Sequence, residues 1–440
     1  MSTTSEETDY GQLLGDRRIR LAVWGLGYIG WSTVEAFAAK GVQIAGYDPD
    51  PERIAQRRAT EPALDVAISS DSQTVLSSSC RVHMIAVPTE RDGAPYQESL
   101  REVFEELAAA IAHGELRGRC PIVIVESTLT PGTTGQLIVP ILRLHGLEVG
   151  RDLGLALAPR RDWFLAEGHG MRELDRIYAG YDQFSSRSAA SILELVNDTL
   201  HQAPGHLEGE LVKCVENAYR HMDISLANQL TLAFPDINMV EVLRLAGTKW
   251  NVGTYHPSFG TGGYCIPLAS RYLLLGAPQP KELSLLEAAV ETDERIRRLV
   301  AEAASGGGPV FVMGIAYKGN IKVDILSPAR AIVTRLLEAG IETTVWDPMY
   351  TAAEIDAKLG AAVAATDVQS QVARARTVLI VADHREFLGA DCVDALNAPR
   401  DERLVILDNY GALQAVPWRD HVSYFRAGSS GWLRSYAGGN

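Results

Sequence analysis

Apolar residues along the chain gather in short runs, and amphipathic stretches with helical spacing separate most of these runs. Ile19–Trp24 reads as a buried strand and leads straight into Gly25-Leu-Gly-Tyr-Ile-Gly30. A helical stretch follows from Trp31 to Lys40, and Gly41 can cap its end. Val42–Tyr47 forms a second strand closed by Asp48-Pro49, and further strand-like runs lie at Val82–Val87, Ile122–Val125 and Leu155–Ala158. Strands alternating with helices predict a parallel sheet covered on both faces.

The pattern changes after about residue 205. Glu208 to about Ala233 reads as one long helix, and helical spacing continues to about Ala304. Only a Gly/Pro-rich loop, Asn251–Pro267, interrupts it. Ser305-Gly-Gly-Gly-Pro309 marks a linker. Beyond it the alternation resumes, with strands at Val310–Gly314, Thr343–Trp346, Val378–Val381 and Leu404–Leu407. Tyr47-Asp48-Pro49 and Trp346-Asp347-Pro348 close equivalent second strands, a weak internal repeat. The predicted fold class is α/β, with two Rossmann-like doubly wound parallel-sheet domains joined by a central helical domain. Residues 1–17 are expected to be a mobile tail, 18–205 the first domain, 206–304 the helical middle and 305–440 the second α/β domain. The middle helix is a natural seam for a homodimer.

A lone Gly-x-Gly-x-x-Gly is weak, but this one sits between a strand and a helix, and Asp48 follows Gly25 by 23 residues. Gly25 permits the tight turn, Gly27 lets backbone approach a pyrophosphate, and Gly30 lets helix and strand pack closely. The helix N-terminus supplies amide donors to the phosphates. Asp48 is placed to accept from the adenosine ribose hydroxyls and would repel a 2′-phosphate, which favours NAD over NADP. The matching stretch of the second domain, Gly314-Ile-Ala-Tyr-Lys-Gly319, lacks the fingerprint and should hold another ligand.

Composition narrows the function classes. The formal charge of −14 repels phosphate backbones, so no nucleic-acid partner is expected. No apolar run is long enough to span a bilayer, and the polar, acidic first residues do not resemble a signal peptide. Five widely spaced cysteines fit reduced thiols in a cytoplasm, with no disulfide framework and no metal cluster. His83, His221 and His256 lack metal-ligand spacing and read as packing or surface residues.

One cysteine stands apart. Cys265 lies in Phe259-Gly-Thr-Gly-Gly-Tyr-Cys-Ile-Pro267, where small neighbours leave room for a substrate carbon; a reactive thiol and a packing residue are both open readings. Lys213 and Asn217 share one helix face.

Seven ordered stretches resemble the UDP-glucose/GDP-mannose dehydrogenase family over almost the whole chain. They are Val23–Gly30, Ala86-Val-Pro-Thr89, Glu126-Ser-Thr-Leu-Thr-Pro-Gly-Thr133, Phe164-Leu-Ala-Glu-Gly168, Leu211–Asn217, Gly262–Pro267 and Gly314–Lys318. The Cys-Ile-Pro sequence is most similar to the branch that oxidises UDP-N-acetylhexosamines. The resemblance implies NAD-dependent oxidation of a sugar C6 alcohol to a carboxylate in two hydride transfers. Cys265 would be the nucleophile, Lys213 the cation that stabilises the alkoxide, Asn217 and Thr128 the groups that orient water or oxyanion, and Glu167 the base for thioester hydrolysis. It implies further cofactor contacts at Tyr28, Ile29, Pro88, Thr89, Ser127 and Thr128. Substrate contacts are implied at Phe259, Gly260, Gly262, Tyr264 and Lys318, the last suited to a diphosphate.

The chain departs from the family pattern near the presumed substrate. The family Asp is Ala269, its Glu after Pro159 is Arg160, and its arginines align with Asn251 and Ile325. The usual His before the cysteine is Tyr264, which can stack on a sugar, donate a hydrogen bond or simply pack the loop. Three functional readings follow. They are a nucleotide-sugar 6-dehydrogenase, a divergent member with a non-standard substrate or a single two-electron step, and a catalytically silent nucleotide-sugar-binding protein.

Overall fold

A computed structural model describes residues 8–61, 64, 66–161, 170–306 and 308–434. Two compact units divide these residues, one of residues up to 216 with 275–278, the other of residues 217–274 and from 279 onward. The division falls within the helix His206–Ala233, the long helix expected from Glu208.

Among the described residues the first unit holds ten strands: β1 (Arg20–Trp24), β2 (Ile44–Tyr47), β3 (Ala67–Ser69), β4 (Cys80–Ile85), the two-residue hairpin strands β5 (Glu90–Arg91) and β6 (Ala94–Pro95), β7 (Ile122–Val125), β8 (Gly154–Leu157), β9 (Arg176–Gly180) and β10 (Leu200–Gln202). All but the hairpin form one sheet in the order β3-β2-β1-β4-β7-β8-β9-β10. Every pair in it is parallel except β8 with β9, so the expected parallel sheet carries one reversal. Alternate residues feed two cores. Ala22 and Trp24 point to one face with Ile85, Val123 and Val125; Leu21 and Val23 point to the other with Val82, Met84 and Ile124. Burial on both faces explains why these strands read as continuous apolar runs.

The expected mobile tail is corrected from residue 10 onward. Tyr10–Gly15 is a helix capped by Asp9, with Tyr10 and Leu14 buried. The Tyr10 hydroxyl donates to the Cys120 carbonyl at 2.5 Å. Three apolar side chains, Tyr10, Leu13 and Leu14, in a six-residue helix give too little periodicity to recognise.

His83 on β4 is fully buried. Its Nδ1 accepts from Trp24 Nε1 at 3.1 Å, and Nε2 lies 3.0 Å from the Cys80 carbonyl, which fixes a neutral ring protonated at Nε2. Burial pushes this imidazole down to about 4. The unfolded chain therefore takes up a proton near pH 6.5 that the native state refuses, and stability present above that pH is lost as pH falls toward 4. We expect roughly 2 kcal/mol of loss from this residue by pH 5. Urea unfolding at pH 7.5 and 5 should show it, and His83→Gln should flatten that slope; equal slopes would contradict the assignment.

The second unit contains β11 (Val310–Met313), β12 (Thr343–Trp346), β13 (Thr377–Ile380), β14 (Leu404–Asp408) and β15 (Val422–Arg426). They form a wholly parallel sheet in the order β12-β11-β13-β14-β15. Val310 and Val312 face one core, Phe311 and Met313 the other. The repeat seen in the sequence has a structural basis. Asp48 after β2 accepts from Leu26 N–H at 2.8 Å, and Asp347 after β12 accepts from Ile315 N–H at the same distance. In both units the acid at the end of the second strand holds the loop that follows the first.

Candidate active site

The order of the first sheet reverses direction between β1 and β4, and ligands of open α/β sheets bind at the carboxyl ends of strands beside such a point. The expected cofactor residues gather there. Gly25, Gly27, Tyr28, Ile29 and Gly30 follow β1, Asp48 follows β2, Pro88 and Thr89 follow β4, and Ser127 and Thr128 follow β7. Gly25 has φ +85°, and a Cβ there would strike the Ala86 carbonyl oxygen at 2.5 Å. A Cβ on Gly30 would lie 1.8 Å from the Gly25 carbonyl oxygen. Gly27 differs, because the nearest atom to its added Cβ is the tip of Arg53 at 3.5 Å. It leaves an open cradle before the helix Tyr28–Ala38, whose N-terminus carries no side-chain cap. A helix N-terminus without a side-chain cap fits a pyrophosphate. Asp48 is only 7% exposed, and its oxygens already accept from Leu26 and Asp50 N–H, with Arg53 3.6 Å away.

The loop after β7 is strapped in place. Ser127 Oγ donates to the Val87 carbonyl at 2.7 Å, and Thr89 Oγ1 donates to the Thr128 carbonyl at 2.7 Å. Farther along it, Glu210 on the long helix accepts from Gly132 and Thr134 N–H, at 2.5 and 2.8 Å. Cys214, one turn on, donates its thiol to the Leu129 carbonyl at 3.5 Å. The helical turn that ties down this loop is the turn that carries half-buried Lys213. Burial pushes the Cys214 thiol up to about 12, so this sulfur beside Lys213 stays protonated.

Cys265 is exposed. It immediately precedes the helix Ile266–Gly276, and its carbonyl accepts from Ala269 N–H at 3.2 Å. The N-terminal end of a helix favours negative charge on such a sulfur. The glycine-rich loop before it is laid along the carboxyl edge of the second sheet. Ser258 N–H donates to Asn228 Oδ1, Phe259 N–H to Asn409 Oδ1 just beyond β14, and Gly263 N–H to the Ile325 carbonyl. A Cβ on Gly262 would meet Tyr317 Cβ at 2.7 Å, and one on Gly263, which has φ +86°, would meet the Tyr317 ring at 3.0 Å. Only glycine allows the loop to lie flat on Tyr317. Lys318, half-buried, is the next residue, so the structure brings the loop and the lysine segment together.

Other expected residues fall elsewhere. The Phe259 ring is fully buried and stacks on Trp432 at 5.9 Å between centroids, so its side chain packs the second core and only its backbone faces the loop. Tyr264 is exposed and Asn217 buried. Glu167 and the Phe164–Gly168 stretch lie outside the described residues. Among the described residues no cluster of His, Cys, Asp and Glu could hold a metal.

The substituted positions are accounted for in part. Arg160, expected near the substrate, has its guanidinium buried against the cofactor helix. It donates to Thr33 Oγ1 and Ser32 Oγ, both at 2.6 Å, and stands 3.7 Å from buried Glu126, which also bonds Thr33 and Arg176. Ala269 is buried in the cysteine helix, Asn251 is exposed, and Ile325 offers its carbonyl to the loop. His221, expected as a packing or surface residue, is buried and is hydrogen-bonded as well, to partners too far away in sequence to leave a local signal.

A dinucleotide cradle in one unit, and in the other an exposed thiol in a glycine loop laid on a sheet edge that lacks that cradle's fingerprint, fit a dinucleotide-dependent oxidoreductase. Comparison with known proteins agrees. Three domain models of the UDP-glucose/GDP-mannose dehydrogenase family match the chain: the NAD binding domain at residues 19–194, the central domain at 208–295 and the UDP binding domain at 311–415. The chain belongs to that family and is an NAD-dependent nucleotide-sugar dehydrogenase. Its relatives include a UDP-N-acetyl-D-mannosamine dehydrogenase of Methanocaldococcus jannaschii, 27% identical, with 91% of this chain and 94% of the relative covered. A UDP-N-acetyl-D-glucosamine 6-dehydrogenase of Pseudomonas aeruginosa is 26% identical, with 86% and 94% covered. The solved structure of a UDP-D-ManNAc dehydrogenase from Pyrococcus horikoshii shares the fold, with a TM-score of 0.77 at 23% identity, covering 94% of this chain and all of that one.

Proposed function

We propose that this enzyme oxidises the C6 alcohol of a UDP-linked N-acetylhexosamine to the uronate through a covalent intermediate on Cys265. The observation that carries the reading is the exposed thiol at a helix N-terminus, in a glycine loop built onto the edge that also bears Lys318. Bound NAD supplies the hydride acceptor for each of the two oxidations. Lys213 stabilises the alkoxide as the alcohol proton leaves. The Cys265 thiolate adds to the resulting aldehyde carbon to form a thiohemiacetal. Loss of a second hydride from that carbon leaves a thioester. Water, oriented by Thr128 and Asn217 and deprotonated by Glu167, attacks the thioester, and the thiolate departs from the carboxylate. With Ala269 in place of a carboxylate, the alcohol proton leaves to water while the Lys213 ammonium holds the alkoxide.

Gly25, Gly27, Tyr28, Ile29, Gly30, Asp48, Pro88, Thr89, Ser127 and Thr128 bind the cofactor. Gly260, Gly262, Tyr264, Lys318 and the Phe259 backbone face the substrate, Lys318 neutralising its diphosphate. The enzyme acts in a cytoplasm, where its free cysteines stay reduced. It pairs as a homodimer through the central helical region, whose Tyr219, Leu226, Phe234, Leu245 and Trp250 are exposed, the last by 92%. Among the described residues no helix is long and apolar enough to cross a membrane.

The test is a panel of UDP-, GDP- and TDP-sugars with NAD, read by NADH absorbance and product mass. A UDP-N-acetylhexosamine should give two NADH per uronate. One NADH with an aldehyde product would overturn the cysteine route, and no NADH with any sugar would overturn the enzymatic reading.

A further inference from the structure

His221 lies on the long helix one turn beyond Asn217 and is 1% exposed. Its Nδ1 stands 2.8 Å from Ser270 Oγ, and its Nε2 stands 3.1 Å from Asp293 Oδ2. Ser270 belongs to the helix Ile266–Gly276 that follows the cysteine, and Asp293 to the helix Ser284–Ala304. Asp293 Oδ1 accepts from Thr261 N–H at 3.0 Å, and the Thr261 hydroxyl bonds Oδ2. Arg297, a turn beyond Asp293, donates to the Thr261 carbonyl at 2.7 Å. Burial would raise the Asp293 carboxyl, but the His221 hydrogen bond, the Arg297 charge and the Thr261 hydroxyl hold it below its usual range. It is therefore a carboxylate that accepts from Nε2–H, while Nδ1 shares a hydrogen with the Ser270 hydroxyl.

The connectivity is that of a Ser-His-Asp triad, but Ser270 is fully buried and its hydroxyl cannot meet a substrate. What the imidazole joins is the two flanks of Cys265. Thr261, four residues before the thiol, is held through Asp293; Ser270, five residues after it, is held directly. Building on the reading of Cys265 as the nucleophile, we propose that His221 is its positioning residue. By fixing the separation of Thr261 from Ser270, His221 sets the direction in which the sulfur points. A purely packing role would need volume alone, whereas this role needs both ring nitrogens.

Isosteric variants separate the two arms. His221→Gln keeps a donor near the Nε2 position and loses Ser270; His221→Asn keeps an acceptor near the Nδ1 position and loses Asp293. Each should lower kcat about 10- to 100-fold, the scale of a small misplacement of a reacting group. KM for the nucleotide sugar should stay within about threefold. The Thr261 amide should exchange its hydrogen faster in His221→Asn than in the native enzyme. Ser270→Ala should match His221→Gln, and the double variant should be no worse than either, because both remove one bond. Ser270→Ala deletes a single oxygen and carries the test alone if the His221 variants do not fold. Native kcat in the folded variants, or multiplied effects in the double variant, would overturn the proposal. Uronate formation by Cys265→Ser would instead overturn the nucleophile reading, while the Thr261 exchange rate still reports on the bracket.

Discussion

Cys265→Ser is expected to make aldehyde but almost no acid, with uronate formation down by about 10³-fold or more. The first hydride leaves carbon without any help from sulfur, so one NADH can still form. The second oxidation needs a tetrahedral adduct that presents another hydride, and a neutral serine hydroxyl is a poor nucleophile compared with a thiolate. An acyl ester on serine would also release alkoxide less readily than a thioester releases thiolate. The helix N-terminus that favours charge on Cys265 offers serine no comparable gain, because the alkoxide is far more costly to form. Product masses and NADH counts from the native enzyme and the variant measure this directly. Native-rate uronate from the variant would remove the covalent step from the account.

Arg160→Glu should be the most damaging structural change. It restores the residue type of the family pattern, yet here it would set a second carboxylate beside Glu126, which is 2% exposed. The donors to Ser32 Oγ, Thr33 Oγ1 and the Ile29 carbonyl would vanish together. Breaking a buried ion pair from one side typically costs about 3–5 kcal/mol, and charge reversal costs no less. The melting temperature should fall by at least about 6 °C. NAD affinity should fall as well, because Ile29, Ser32 and Thr33 lie on the helix whose N-terminus we propose receives the pyrophosphate. Calorimetry with and without NAD checks both effects; an unchanged melting point would show that the buried network carries no weight. The same geometry explains why a cation stands here. Glu126 and Thr33 line a pocket that a guanidinium can fill with bonds and a second carboxylate cannot.

The fold was legible where burial on both faces made strands apolar throughout. Ile122–Val125 and Thr343–Trp346 appear at the expected residues. Strands that escaped notice are short or carry polar side chains, such as Leu200–Gln202 at the sheet edge and Val422–Arg426, where only Val422 is fully buried. The cofactor loop was readable because its chemistry depends on backbone geometry, and backbone geometry restricts residue type locally. The His221 bracket was not readable. Its bonds span 49 residues to Ser270 and 72 to Asp293, and neither separation leaves a local pattern. The bonds of Arg160 were unreadable for the same reason, since its partners Ser32 and Thr33 lie more than a hundred residues earlier in the chain.

The most direct measurement is the mass of the peptide containing Cys265 after rapid acid quenching of the enzyme during turnover with NAD and its nucleotide sugar. A peptide heavier by the nucleotide-sugar acyl group, with the extra mass on that sulfur and gone once substrate is exhausted, is the predicted result. Steady uronate production with this peptide unmodified at every quench time, or with the adduct on another side chain, would contradict it.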